Sequence, residues 1–278
     1  MRFTKMQGCG NDYVYVNLFE EKISNPEELA KKISDRHFGV GSDGLILILP
    51  PVDDNSDAFM QLYNFDGSKA SMCGNGIRCV AKFIYDNGII PKERRKTFID
   101  TPSGIKKIFL EIKDDKVIAA TVNMGQAKIT SEIPEEIKIN AKNLKFIGVN
   151  VGNPHAVYFL EENPEIKDIF SWPDSKFAVE GVDFENHSRF PDRVNSEFIE
   201  IISRSEIRMR VFERGSGETM ACGTGATAAA FAGFKAGKLN SKVLVHLLGG
   251  DLKIEIKDDL SCLMTGEAVE VFSGEIFI

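Results

Sequence analysis

Met72-Cys73-Gly74-Asn75-Gly76-Ile77-Arg78-Cys79 has an echo 149 residues further on, in Ala221-Cys222-Gly223-Thr224-Gly225-Ala226-Thr227. Each copy sets Cys-Gly-x-Gly directly in front of a helix-like run. After Cys73, the residues Ile77, Val80, Ala81 and Ile84 form an i, i+3, i+4, i+7 stripe, and Asn87-Gly88 offers a C-cap. After Cys222 the run is Ala-rich and apolar nearly all round, which predicts a buried helix closed by Gly237. The order strand, turn, Cys-Gly-x-Gly, buried helix, further strands occurs in both halves. The pattern predicts an α+β chain of two pseudo-symmetric lobes, the first over residues 1–122 and the second over 123–266.

Working outward, Asn25-Pro26 predicts a helix over Pro26 to Ser34, with Asn25 as N-cap and Pro26 at N1. Strands are expected at Tyr13–Leu18, Leu45–Leu49 and Phe59–Asn64. Others fall near 97–100, 106–112 and 116–123, then at Glu197–Ile202 and Ile207–Phe212. Gly39-x-Gly41-x-x-Gly44 matches a dinucleotide fingerprint in letters only. A helix-like run precedes it and a strand follows, the reverse of what that fingerprint needs.

The chain has 278 residues, 43% hydrophobic and 27% charged, with net charge −7 and pI near 5.3. This describes a soluble globular protein and disfavours nucleic acid or an anionic membrane as main partner. An odd count of five cysteines favours reduced thiols in the cytoplasm, and no signal or transit segment is read at the start. Cys-x₂₋₄-Cys spacing is absent, so no metal site is expected. Cys9, Cys79 and Cys262 read as packing residues, and His37, His187 and His246 as surface or packing residues.

A helix start leaves amides unpaired and carries positive partial charge. Two such starts converging on one point would suit a carboxylate and would lower a thiol's pKa. Two thiols on opposite faces of a carbon could take a proton from one side and return one on the other, inverting a stereocentre. Glycines beside each cysteine allow close backbone approach.

Further segments extend the pattern. They are Lys5-Met6-x-Gly8-x-Gly10-Asn11-Asp12, Gly39-Val40-Gly41-Ser42-Asp43-Gly44, Asn64-x-Asp66-Gly67-Ser68, Gly152-Asn153-Pro154-His155, Val194-Asn195 and Glu213-Arg214-Gly215-x-Gly217-x-Thr219-x-Ala221-Cys222. Together with the two cysteine segments they resemble the diaminopimelate epimerase family nearly end to end. The resemblance implies a cofactor-independent epimerase acting on LL- and meso-diaminopimelate, with Cys73 and Cys222 as the acid/base pair. It implies that the backbone amides of Gly74, Asn75, Gly223 and Thr224 receive the reacting carboxylate. Asn11, Asn64, Asn153, Asn195, Glu213 and Arg214 would hold the amino groups and the distal carboxylate. His155 and Glu213 would adjust the thiols' protonation. The resemblance also implies strands wrapped around a central helix in each lobe, residues 267–278 returning to the first lobe, and a homodimer, while the need to exclude water from the reacting carbon predicts lobe closure on substrate. Gln7 and Cys9 depart from the His and Leu expected in the first motif. Gly44 stands where some members carry a substrate-contacting Gln and many carry Gly.

Two alternatives remain at this stage. A proline- or hydroxyproline-type racemase is one, although those relatives tend to have His where Asn75 stands. A thiol–disulfide redox protein using Cys73 and Cys222 is the other.

Overall fold

A computed structural model describes residues 1–70 and 72–277. The chain divides into two compact units, Met1–Asn123 with Thr265–Ile278, and Met124–Met264. In the first unit lie β1 (Arg2–Gly8), β2 (Asn11–Asn17), α1 (Pro26–Ser34), β3 (Gly44–Leu49), β4 (Ala58–Asn64), β5 (Lys69–Ala70), α2 (Gly74–Asp86), β6 (Lys96–Asp100) and β7 (Lys106–Lys113). The long β8 (Lys116–Gln126) ends the run. In the second unit follow β9 (Lys128–Ile129), β10 (Glu135–Ile139), β11 (Lys142–Asn150), β12 (Pro154–Phe159), α3 (Asp174–Glu185), β13 (Asn195–Ser203), β14 (Glu206–Glu213) and β15 (Gly217–Glu218). Then come α4 (Gly223–Lys235), β16 (Lys242–Leu247), β17 (Gly250–Ile256) and β18 (Ser261–Glu267), and last β19 (Val269–Glu275), which pairs antiparallel with β1.

The internal duplication is visible in the pairings. β1–β2 is antiparallel, β2–β3 parallel, β3–β4 antiparallel, β4–β6 parallel and β6–β7 antiparallel. The same sequence of senses runs through β11–β12, β12–β13, β13–β14, β14–β16 and β16–β17. The fold is thus a mixed α+β architecture built twice.

Each unit wraps its strands around one 13-residue helix, α2 or α4. α2 packs on β1, β2, β4, β6 and β7, and α4 on β11, β12, β13, β16 and β17. Ala226, Ala228, Ala229, Ala230 and Ala232 are all inaccessible, so small side chains let strands approach α4 from all sides. Both helices end in a left-handed glycine, Gly88 (φ 70°) and Gly237 (φ 72°). In each case the glycine amide and the amide after it return to carbonyls of the last turns.

α1 has the bounds expected, and Asn25 Oδ1 accepts the Glu28 amide at 3.3 Å. α3 has no counterpart among the expected elements. It closes over an aromatic core of Tyr158, Phe177, Phe184, Phe198 and Phe212. Gly181 is pressed onto Phe212 so closely that a Cβ there would stand 2.1 Å from the ring. In the first motif the turn occupies only Cys9-Gly10, both at positive φ, and β2 already begins at Asn11. Among the described residues no helix is long and apolar enough to cross a membrane.

Candidate active site

Both cysteines are helix N-caps. Cys73 (φ −135°, ψ 117°) precedes α2 and Cys222 (φ −116°, ψ 109°) precedes α4. Each Sγ accepts the amide of the third helical residue at 3.3 Å, from Gly76 in one unit and Gly225 in the other. Serine or aspartate ordinarily fills this position; here a thiol takes it and is drawn to the positive end of the helix. Glycine at the third position leaves room for a side chain rising from the strand beneath. A Cβ on Gly76 would stand 2.6 Å from Ile46 Cδ1, and one on Gly225 would stand 2.7 Å from Glu197 Oε1.

In the first unit the half-buried Cys73 donates to Asn11 Oδ1 at 3.2 Å. Asn11 is oriented for this because its Nδ2 donates to Asp43 Oδ2 at 2.7 Å. Asp43 is itself tied to Arg36, which also pairs with Asp12, and Asp12 pairs with Lys5. The two cations beside Asp12 outweigh its burial and hold its carboxyl below the usual range. Asp43, Arg36 and Lys5 therefore lock the asparagine that meets Cys73, a role not assigned to them from sequence. Asn75 turns its Oδ1 inward to the buried Arg78 at 3.0 Å, which also binds the Gly74 carbonyl. Asn64, at the end of β4, donates to Ser68 Oγ at 3.0 Å. Gly44 pairs with Asn64, and a Cβ on it would meet the Tyr63 carbonyl at 2.2 Å. A side chain at 44 therefore requires a displaced backbone.

In the second unit Cys222 is buried. Thr224 Oγ1 lies 3.5 Å from its sulfur and accepts Asn153 Nδ2 at 3.3 Å. Asn153 Oδ1 lies 2.9 Å from His155 Nε2, and His155 Nδ1 lies 2.7 Å from Glu197 Oε1. His155 follows the expected Asn153-Pro154 turn but is itself in β12, with its side chain wholly buried. Glu213 accepts the Thr219 hydroxyl. Asn195 donates to the Pro154 carbonyl at 2.8 Å and accepts the Arg214 amide at 3.0 Å. The exposed Arg214 guanidinium donates to the Asp192 carbonyl at 3.1 Å.

The thiol of Cys222 differs from the expectation that a helix start lowers it. Burial pushes it well above its ordinary range, with the Glu213 and Glu197 carboxylates adding to the rise. The Thr224 and Gly225 donors oppose this and do not overcome it. Burial likewise raises the Glu213 carboxyl, against the bonds from Thr219 and Cys222 and the nearby His155. Cys79 and Cys262, buried among apolar groups, are pushed up to about 11, the behaviour of packing thiols. His246 lies between Glu206 and Asp251, each at 2.8 Å. Among the described residues no group of three or more His, Cys, Asp or Glu could hold a metal ion.

These features define a class: a duplicated mixed α+β fold in which each half offers a thiol capping its central helix. The chain belongs to the diaminopimelate epimerase family, whose model matches residues 3–130 and 147–271. It is 48% identical to the diaminopimelate epimerase of Agathobacter rectalis over the full length of both chains. It is 46% identical to that of Methanococcus maripaludis, again over all of both chains. Among solved structures, a probable proline racemase from Agrobacterium radiobacter superposes with TM-score 0.76 at 13% identity, covering 100% of this chain and 93% of that one. A hydroxyproline epimerase from Agrobacterium vitis gives 0.71 at 14%, covering 99% and 91%. At such identities these two report the shared fold alone.

Proposed function

We propose that this chain interconverts LL- and meso-diaminopimelate by exchanging the α-proton between two thiols, with no cofactor. One observation carries the two-thiol part: Cys73 and Cys222 cap equivalent helices with the same sulfur–amide geometry, 3.3 Å in both. Family membership carries the substrate. Each unit acts as one lobe. One thiolate removes the α-proton and the other thiol supplies its replacement, so one site serves both directions. The amides of Gly74 and Asn75, and of Gly223 and Thr224, receive the reacting carboxylate, and the helix starts stabilise the charge that develops as the α-proton leaves.

Asn11, Asn64, Asn153 and Asn195, with Glu213 and Arg214, hold the amino groups and the distal carboxylate, Glu213 suiting an ammonium and Arg214 a carboxylate as a two-pronged donor. His155 and Glu213 adjust the protonation of the pair. The activity supplies meso-diaminopimelate for lysine and peptidoglycan precursors, and we place the enzyme in the cytoplasm as a homodimer. The likeness in fold to proline and hydroxyproline racemases makes those substrates the competing reading, but Asn75 stands where those relatives tend to have His, and the Glu213-Arg214 pair favours a substrate with a second charged end.

Replacing Cys73 or Cys222 by Ala is expected to lower epimerisation by at least about 10³-fold. Near-native turnover by Cys222→Ala would refute the two-thiol scheme. A substrate panel distinguishes diaminopimelate from proline. Absence of saturable diaminopimelate binding by the reduced protein would instead favour a thiol–disulfide redox role.

A further inference from the structure

The two units differ in what lies beneath their thiols. Ile46 in β3 pairs with Tyr15 and Leu62, and Glu197 in β13 pairs with Val157 and Val211. By this register the two residues hold the same place, one turn below the cap of the central helix. The first unit puts a methyl group against Gly76, and the second puts a carboxylate against Gly225. Glu197 is wholly inaccessible, and its Oε2 has no hydrogen-bond partner among the described residues. Burying a carboxylate is costly unless it is paired, and the group that meets it here is the His155 ring, with Nδ1 2.7 Å from Oε1.

We propose that Glu197 is a positioning residue that sets the direction of a hydrogen-bond chain ending at the Cys222 sulfur. An ionised carboxylate only accepts, so the 2.7 Å contact places a proton on His155 Nδ1. Asn153 Oδ1 also only accepts, so the 2.9 Å contact places a second proton on Nε2. The ring is an imidazolium with Glu197 as its counter-ion. The amide end of Asn153 therefore points at Thr224 Oγ1, which accepts it. The Thr224 hydroxyl proton is left for the Cys222 sulfur, 3.5 Å away, alongside the Gly225 amide. The two donors on sulfur stabilise the thiolate, the form that accepts a substrate proton, against the burial and the nearby carboxylates that push the thiol up.

A neutral ring with a bare Nε2 reverses the chain. Asn153 turns its amide toward the ring and its carbonyl toward Thr224, and the hydroxyl proton leaves the sulfur. Glu197 touches no reacting atom and acts only through His155.

The catalytic consequence rests on Cys222 serving as acid and base, whereas the charge of the ring does not. Nitrogen-15 NMR of the histidine-labelled protein at neutral pH, assigned with a His155→Asn variant, is the first readout. Both ring nitrogens of His155 are expected to be of the N–H type. In Glu197→Gln Nε2 should become bare, and alkylation of Cys222 by iodoacetamide should slow while that of Cys73 does not. The same variant is expected to lose about 10- to 100-fold in kcat with KM changed less than about 3-fold.

A bare Nε2 in the unmodified protein overturns the proposal, and that spectrum decides the matter even if Glu197→Gln does not fold. So does a Glu197→Gln variant with unchanged ring and unchanged Cys222 alkylation. An imidazolium in a protein that does not turn over diaminopimelate would leave the chain of bonds standing and remove the function proposed above.

Discussion

Glu197 shows why a site residue can escape a reading of sequence. It lies in Asn195-Ser196-Glu197-Phe198-Ile199, where a charged residue beside polar Ser196 in an alternating run reads as the solvent face of a strand. The structure buries all five positions, because α4 covers one face of β13 and the aromatic core covers the other. Cys73 and Cys222 stand out in the sequence because their glycine spacing is doubled; Glu197 has no such marker, since its counterpart is Ile46. Two substitutions compare the units at this scale. Gly225→Ala would drive a methyl group against Glu197 and the Cys222 sulfur, 3.2 Å away, and is expected to cost about 1–3 kcal/mol together with activity. Gly76→Ala meets the tip of Ile46, which can turn aside, and should cost less. Denaturant midpoints and turnover of the pair check this order.

Glu213 gives a further prediction. Its carboxyl is raised, so the folded state binds that proton more tightly than the unfolded chain does. The stability this brings is present below the unfolded value and is lost as pH rises through the folded one. Above the unfolded value the group therefore opposes folding relative to a neutral side chain, and Glu213→Gln should raise the melting temperature while lowering turnover.

The elements most legible in sequence were those closed by stereochemical punctuation. Asn25-Pro26 opened α1, and Asn87-Gly88 and Gly237 closed the two central helices, because caps and left-handed glycines act locally. α3 lacked such marks. It starts after Pro173 with no side-chain cap, and its Gly181 serves packing against Phe212 instead of a helix end. Its stability comes from tertiary contact that no local pattern announces. At Gly88 and Gly237 nothing lies within 4 Å of an added Cβ, so Gly→Ala at either site tests backbone strain alone. We expect a loss of about 1 kcal/mol at each, with turnover unchanged. Loss of activity without loss of stability would show that the helix ends matter to the site directly.

Across the whole molecule the buried thiols weaken stability at alkaline pH. Cys79 and Cys262 lie at about 11 and Cys222 is also raised, against about 8.5 in an unfolded chain. Their contribution is full below about 8.5 and lost as pH climbs toward about 11. Unfolding free energy should fall across that window, and a Cys262→Ala variant should show a shallower fall. The family, and the duplicated α+β design, were legible because motifs spread over the whole chain agree with one another. The pairing senses that make the halves equivalent emerge only from the folded strands.

Two thiols exchanging one α-proton are the centre of this account, and proton NMR of the reduced protein with LL-diaminopimelate in D₂O tests them most directly. Loss of the α-proton signal together with appearance of the meso isomer is expected, without added pyridoxal phosphate or metal. No exchange, in a sample whose thiols titrate as reduced, would contradict it.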